Sequence, residues 1–126
     1  MEFMLMCCIE EKLWNALPEA ERAEVMRDYG AWTAELDRNG KHVNSAQLES
    51  ISTATTVRKR NGKLAITDGP FAETKEVFGG FHLVKCKDLD EAIALASAIP
   101  TLRVGGTVEV RPVMQLFAGS GVPANG

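Results

Sequence analysis

Residues 3–9 form a continuous apolar run, Phe-Met-Leu-Met-Cys-Cys-Ile, with Glu2 before it and Glu10-Glu11-Lys12 after it. The length suits a strand, and the absence of alternation predicts one that is covered on both faces. A helical period follows. Val25, Tyr29, Trp32 and Leu36 recur at i, i+4, i+7 and i+11, the stripe of one buried helix face. Pro18 suits that helix's first turn, Glu19, Glu21 and Glu24 complement the positive end of its dipole, and Asn39-Gly40 supplies a left-handed stop. Gly30 costs the helix about 1 kcal/mol relative to alanine, which either close packing or a kink would explain. Residues 41–52 are polar and irregular, with a short strand indicated near His42-Val43.

The clearest local signal is a hairpin. Residues 53–60 and 63–67 are β-rich and flank Asn61-Gly62, a pair that tolerates the positive φ values of a tight turn. Its second arm alternates, with Leu64 and Ile66 on one face and Lys63, Ala65 and Thr67 on the other. Asp68-Gly69-Pro70 breaks the strand, and residues 81–87 resume one after Gly79-Gly80. A second helix begins at once, with Asp88 and Glu91 as a capping box and Leu89, Ala92, Ile93, Ala96 and Ile99 as its apolar face; Pro100 ends it. Residues 107–111 alternate as a last strand, with Val108 and Val110 inward. One domain over residues 1–117 and a flexible, glycine-rich tail over 118–126 are expected.

The order is β-α-ββ-β-α-β. Setting one strand aside as a hairpin elaboration leaves the split βαβ pattern of a ferredoxin-like α+β fold: an antiparallel sheet with two helices on one face and an extra β-hairpin. Two helices cover one face only, yet residues 3–9 are apolar toward both. The second face is therefore expected to pack on the same sheet of a second copy, making a homodimer.

Composition narrows the classes of function. The chain has 126 residues, 45% hydrophobic and 25% charged, with a net charge of −3. Acidic and basic residues are interspersed, so a nucleic-acid footprint is not expected, and Arg58-Lys59-Arg60 beside a turn reads as a solvated hairpin end. The first apolar run is too short for a signal peptide or a membrane span, and no membrane association is expected. Three cysteines without a CxxC spacing suit a reducing, cytoplasmic setting, and Cys7 and Cys8 point to opposite strand faces. There is no HxH, HExxH or carboxylate–histidine cluster for a metal, and Gly79-Gly80 precedes a strand rather than a helix, so no nucleotide cofactor is expected.

Between the hairpin and the next strand runs Asp68-Gly69-Pro70-Phe71-Ala72-Glu73-Thr74-Lys75-Glu76, followed by Gly79-Gly80. This string resembles the signature of the DGPF branch of the YCII-related family. Ala54-Thr55-Thr56-Val57-Arg58 and Asp88-Leu89-Asp90-Glu91-Ala92 are similar to that family as well. The resemblance spans the first strand to Pro112 and implies a dimeric α/β-barrel fold without a settled reaction. Some DGPF-type sequences are joined to, or encoded near, extracytoplasmic-function sigma factors, which implies a link to transcriptional regulation. In the wider family a histidine on the first helix and an acid near the Gly-Pro turn are proposed to face each other in a cleft. Asp68 matches the acid, whereas the helix position carries Tyr29, so the most obvious general base is missing.

Physically, Asp68-Gly69-Pro70 is a good turn: Asp bonds its own backbone, Gly takes unusual φ values and Pro sets the exit. The long connection after it presents Glu73, Lys75 and Glu76, which would either order one another or grip a polar ligand. Asp68, Gly69, Pro70, Phe71, Glu73, Lys75 and Glu76 are thus the candidate ligand-binding residues, in a cleft between the first helix and this loop. Asp68, His82 and Tyr29 are the candidate catalytic residues. His82, in phase with Val84 and Cys86, fits a structural role or proton transfer, and pairing of its strand with the one ending at Asp68 would bring the two to one sheet edge. Tyr29 fits a hydrogen-bond donor or a core position. Three functions follow: a small-molecule-binding homodimer with a regulatory extension; a cofactor-independent lyase or isomerase using Asp68 with His82 or Tyr29; and an interaction module for a transcription factor.

Overall fold

The computed structural model describes residues 1–115. The tail expected over 118–126 lies outside them. Strand β1 (Glu2–Ile9) leads into two helices, α1 (Glu11–Ala16) and α2 (Glu19–Arg38), and then β2 (His42–Gln47). After a short 3-10 turn (Ile51–Thr53) come β3 (Thr55–Arg60), β4 (Lys63–Asp68), β5 (Val77–Lys85), α3 (Leu89–Ser97), a second 3-10 segment (Pro100–Val104) and β6 (Thr107–Pro112). The main sheet has the order β2-β5-β1-β6 and is antiparallel throughout. This is the ferredoxin-like α+β fold, with β3 and β4 set apart as a two-stranded sheet.

The pleat of β1 divides its apolar run. Phe3, Leu5 and Cys7 are buried, whereas Met4, Met6 and Cys8 on the other face are half-buried. The buried set joins Leu36 of α2, Val84 and Cys86, and Ala92, Ala96 and Ile99 from the α3 region in one core, with Tyr29, Trp32, Val108 and Val110 packed against it. Trp32 Nε1 donates to the Leu95 carbonyl at 3.1 Å and ties α2 to α3 across that core.

Local chemistry sets the boundaries. Gly40 at φ +68 closes α2, with the Lys41 N–H donating to the Leu36 carbonyl at 3.1 Å. Asn61 at φ 51 and Gly62 at φ 78 make the hairpin turn. The Asp88 carboxylate caps α3 by accepting from the Glu91 N–H at 2.9 Å.

Four expectations are corrected. Six-residue α1 is a third helix, too short to leave a periodic stripe. The strand carrying His82 starts at Val77 rather than after Gly79-Gly80; both glycines lie inside β5, where Gly79 is the extra residue of a bulge opposite the Cys7–Cys8 step of β1. A Cβ at Gly80 would lie 2.9 Å from the Ala46 carbonyl, so glycine is what lets β2 approach there. Leu89 and Ile93, assigned to the apolar face of α3, are largely exposed because only one narrow side of that helix meets the sheet. Finally, a Cβ at Gly30 would meet nothing within 4 Å, which removes close packing as its explanation.

Candidate functional site

Tyr29 and Thr33 lie one turn apart on α2, and the Thr33 hydroxyl donates back to the Tyr29 carbonyl at 3.1 Å. Their face of the helix overlies the end of the sheet where Cys7, Gly80 and His82 point inward. His82 stands opposite Leu5 on one side and Ser45 on the other. The result is a cleft of about 310 Å³ between α2 and the sheet. Trp14 of α1 and Met26 of α2 supply apolar wall, and Ser45 and Gln47 of β2 supply polar groups. Among the described residues, no charged side chain lines it.

Tyr29 Oη is hydrogen-bonded to His82 Nε2 and lies 3.4 Å from Cys7 Sγ. Trp32 meets the His82 ring edge-on, with centroids 4.8 Å apart, and Tyr29 at 5.9 Å. Two buried polar atoms lack a hydrogen-bond partner among the described residues: His82 Nδ1 and Thr101 Oγ1, both on side chains that line this cleft. An orphaned buried N–H is rarer than an orphaned acceptor. That places the His82 proton on Nε2, donating to Tyr29 Oη, and leaves Nδ1 as the bare acceptor. The Tyr29 O–H is then directed onward, to Cys7 Sγ or to whatever occupies the cleft.

Burial dominates the protonation states. It brings the His82 imidazole down to about 4, helped by the nearby His42, so the ring is neutral at physiological pH. Burial also pushes the Tyr29 phenol well above its ordinary range, with the Cys7 hydrogen bond and charge adding to the effect. The Cys7 thiol is raised by burial, against the opposing hydrogen bond from Tyr29. All three groups are therefore uncharged, and the cluster offers hydrogen bonds and a weakly basic imidazole rather than a thiolate or a phenolate.

Asp68 sits elsewhere. It ends β4, opposite Thr55 in the two-stranded sheet, and is exposed. β4 and β5 do not pair, because the hairpin folds on itself, so the sheet edge expected to unite Asp68 with His82 is not formed. Gly69 has φ +108, and its N–H donates to the Ala54 carbonyl at 2.8 Å, closing the hairpin's base. Pro70 and Phe71 border a separate groove with residues 47–56, Phe71 being exposed. Glu73, Lys75 and Glu76 are exposed, with Lys75 Nζ 3.8 Å from Glu10. The structure brings Tyr29 and His82 together and keeps the 68–76 loop out of their cleft. Reasoning from sequence missed Thr33, Ser45 and Gln47; Thr33 at i+4 from Tyr29 was the available signal, whereas β2 is polar enough to have read as irregular. Among the described residues, no group of three or more His, Cys, Asp or Glu side chains is placed to hold a metal.

Fold and cleft together define a ferredoxin-like α+β domain that carries a neutral, hydrogen-bonding pocket between its first long helix and its sheet. The chain matches the YCII-related domain over residues 1–116, and it belongs to that family. It is similar to "Uncharacterized protein R00369" of Rhizobium meliloti (strain 1021), with 36% identity over 114 residues, 90% of this chain and 92% of the relative. No helix among the described residues is long and apolar enough to cross a membrane.

Proposed function

We propose that this protein binds an uncharged, largely apolar small molecule bearing a carbonyl or hydroxyl oxygen, and that the molecule lies in the Tyr29–His82 cleft. One observation carries the reading: a cleft of about 310 Å³, at the lower end of ligand-pocket sizes, has among the described residues no charged side chain in its wall and a neutral Tyr–His pair on its floor. A carboxylate or ammonium ligand would lose its hydration there without gaining a counter-charge. A neutral oxygen would accept from Tyr29 Oη while apolar atoms cover Trp14 and Met26. Gln47 and Ser45 would supply orientation.

Native mass spectrometry of freshly isolated protein, followed by thermal-shift titration with neutral carbonyl compounds and their matched carboxylic acids, tests this. Stabilisation by the neutral set is expected, and stabilisation by the acids alone would overturn it. Tyr29→Phe should weaken binding by at least about tenfold, roughly the worth of one hydrogen bond, and cost about 1–3 kcal/mol of stability by orphaning the His82 N–H.

The finer placements are part of the same proposal. The string from Asp68 to Glu76 supports membership of the DGPF branch. The half-buried Met4, Met6 and Cys8 support a homodimer packed through that sheet face. The sequence also supports a cytoplasmic setting, and the resemblance to sigma-factor-linked sequences supports a regulatory use of the bound ligand. Proton-transfer catalysis by Asp68 is the weaker reading, since that carboxylate stands outside the cleft and the imidazole inside it is only weakly basic.

A further inference from the structure

We propose that the β3–β4 hairpin is an arm that clasps a second copy of this chain, laying its apolar face on the Cys8–Phe78 corner of that copy's outer sheet face. The inference rests on the homodimer reading and adds a contact to it.

A lone two-stranded hairpin is marginally stable in water and needs a surface to lie on. One face of this arm is secured by its own chain. Thr56 Oγ1 donates to the Gly69 carbonyl at 2.7 Å, Arg58 donates to the Phe71 carbonyl, and Ala65 is half-buried. The other face is bare. Val57 stands directly across from Ile66, with Leu64 next along, and the three are 61%, 69% and 69% exposed. Cross-strand apolar side chains aligned in this way form one contiguous patch. Among the described residues, nothing covers it.

Charge selects the occupant. Arg58, Lys59, Arg60 and Lys63 lie on the arm against one acid, Asp68 at its base, so the remainder of the chain is more acidic than the overall −3. Two arms would repel one another, whereas an arm and the body of another copy attract. The outer sheet face offers the complement. Met4 pairs with Leu83, Met6 with Phe81 and Cys8 with Phe78. At the Cys8 corner, Glu76 stands two residues before exposed Phe78 on one side of β1, and Glu109, opposite Met6, stands on the other. An apolar spot with an acidic rim thus matches an apolar arm with a basic tip. Six residues per strand give a reach of about 20 Å, and a two-fold axis lets each copy give one arm and receive one, closing the assembly as a dimer.

The test uses the full chain. Sedimentation equilibrium should find a dimer, with Leu64→Ser/Ile66→Ser raising its Kd at least about tenfold and leaving the circular dichroism unchanged, since both side chains are exposed in the single chain. Raising salt from 50 to 500 mM should also raise the Kd. A benzophenone amino acid at position 64 should cross-link, in mixtures of isotope-labelled and unlabelled protein, to the other copy's peptide containing Cys8 or Phe78. A dimer whose Kd is unmoved by the double substitution would overturn the arm and leave the homodimer standing. A monomeric wild type would overturn both, including one that binds nucleic acid through the arm.

Discussion

His82 is neutral for a physical reason that makes a measurable demand on stability. Its folded value is near 4, against about 6.5 for an unfolded histidine. Between these values the unfolded chain binds the extra proton, so stability rises with pH across that window and is lost on acidification, by about 3 kcal/mol at most. Denaturant melts at pH 7.5 and 5.0 should show a steeper loss for the wild type than for His82→Phe, and equal slopes would refute the burial argument. The 68–76 loop separates conformation from charge at adjacent positions. Gly69→Ala places a side chain at φ +108 and should cost about 1 kcal/mol or more, while Asp68→Asn should leave both folding and cleft binding unchanged. If Asp68→Asn abolishes binding in the thermal-shift titration, the loop belongs to the site after all.

At the scale of elements, two glycines in regular structure have opposite meanings. Gly30 is exposed within α2 with open space where a Cβ would stand, so Gly30→Ala should stabilise by about 0.5–1 kcal/mol and raise Tm by a few degrees. Gly80 faces the Ala46 carbonyl at 2.9 Å from its would-be Cβ, and Gly80→Ala must push β2 away from β5. Because Ser45 and Gln47 ride on β2, that variant should lose ligand affinity together with stability. A Gly80→Ala protein with unchanged Tm and affinity would mean that β2 shifts freely and does not set the cleft's width. Nothing in the composition of the two sites distinguishes them; the difference is the neighbour each backbone meets.

Across the whole molecule, the balance of covered and uncovered surface decides assembly. The two long helices and the core occupy one side of the sheet, leaving Met4, Met6, Phe81 and Leu83 half-buried on the other. Met6→Asp would place a charge at the centre of the proposed interface, with little cost to the single chain because that side chain is not enclosed by it. Light scattering should report a monomer of unchanged secondary structure; a persistent dimer would move the interface elsewhere.

Much of this architecture was legible beforehand because it is dictated locally. The α2 stripe, the Asn61-Gly62 turn, the Asp88 cap and the alternation at Val108 and Val110 depend on near neighbours in the chain, and each lies where its pattern placed it. The pairing of strands across long separations is another matter. β2 has a polar composition because it is an edge strand, which hid its extent, and a hairpin that closes on itself left Asp68 in a different sheet from His82. Tyr29 and His82, 53 positions apart, meet because α2 crosses the same face of the sheet that the pleat of β5 gives to His82. Residue types and their periods determine which elements form and which faces are apolar; only the packing of those elements decides which two polar side chains share one desolvated space.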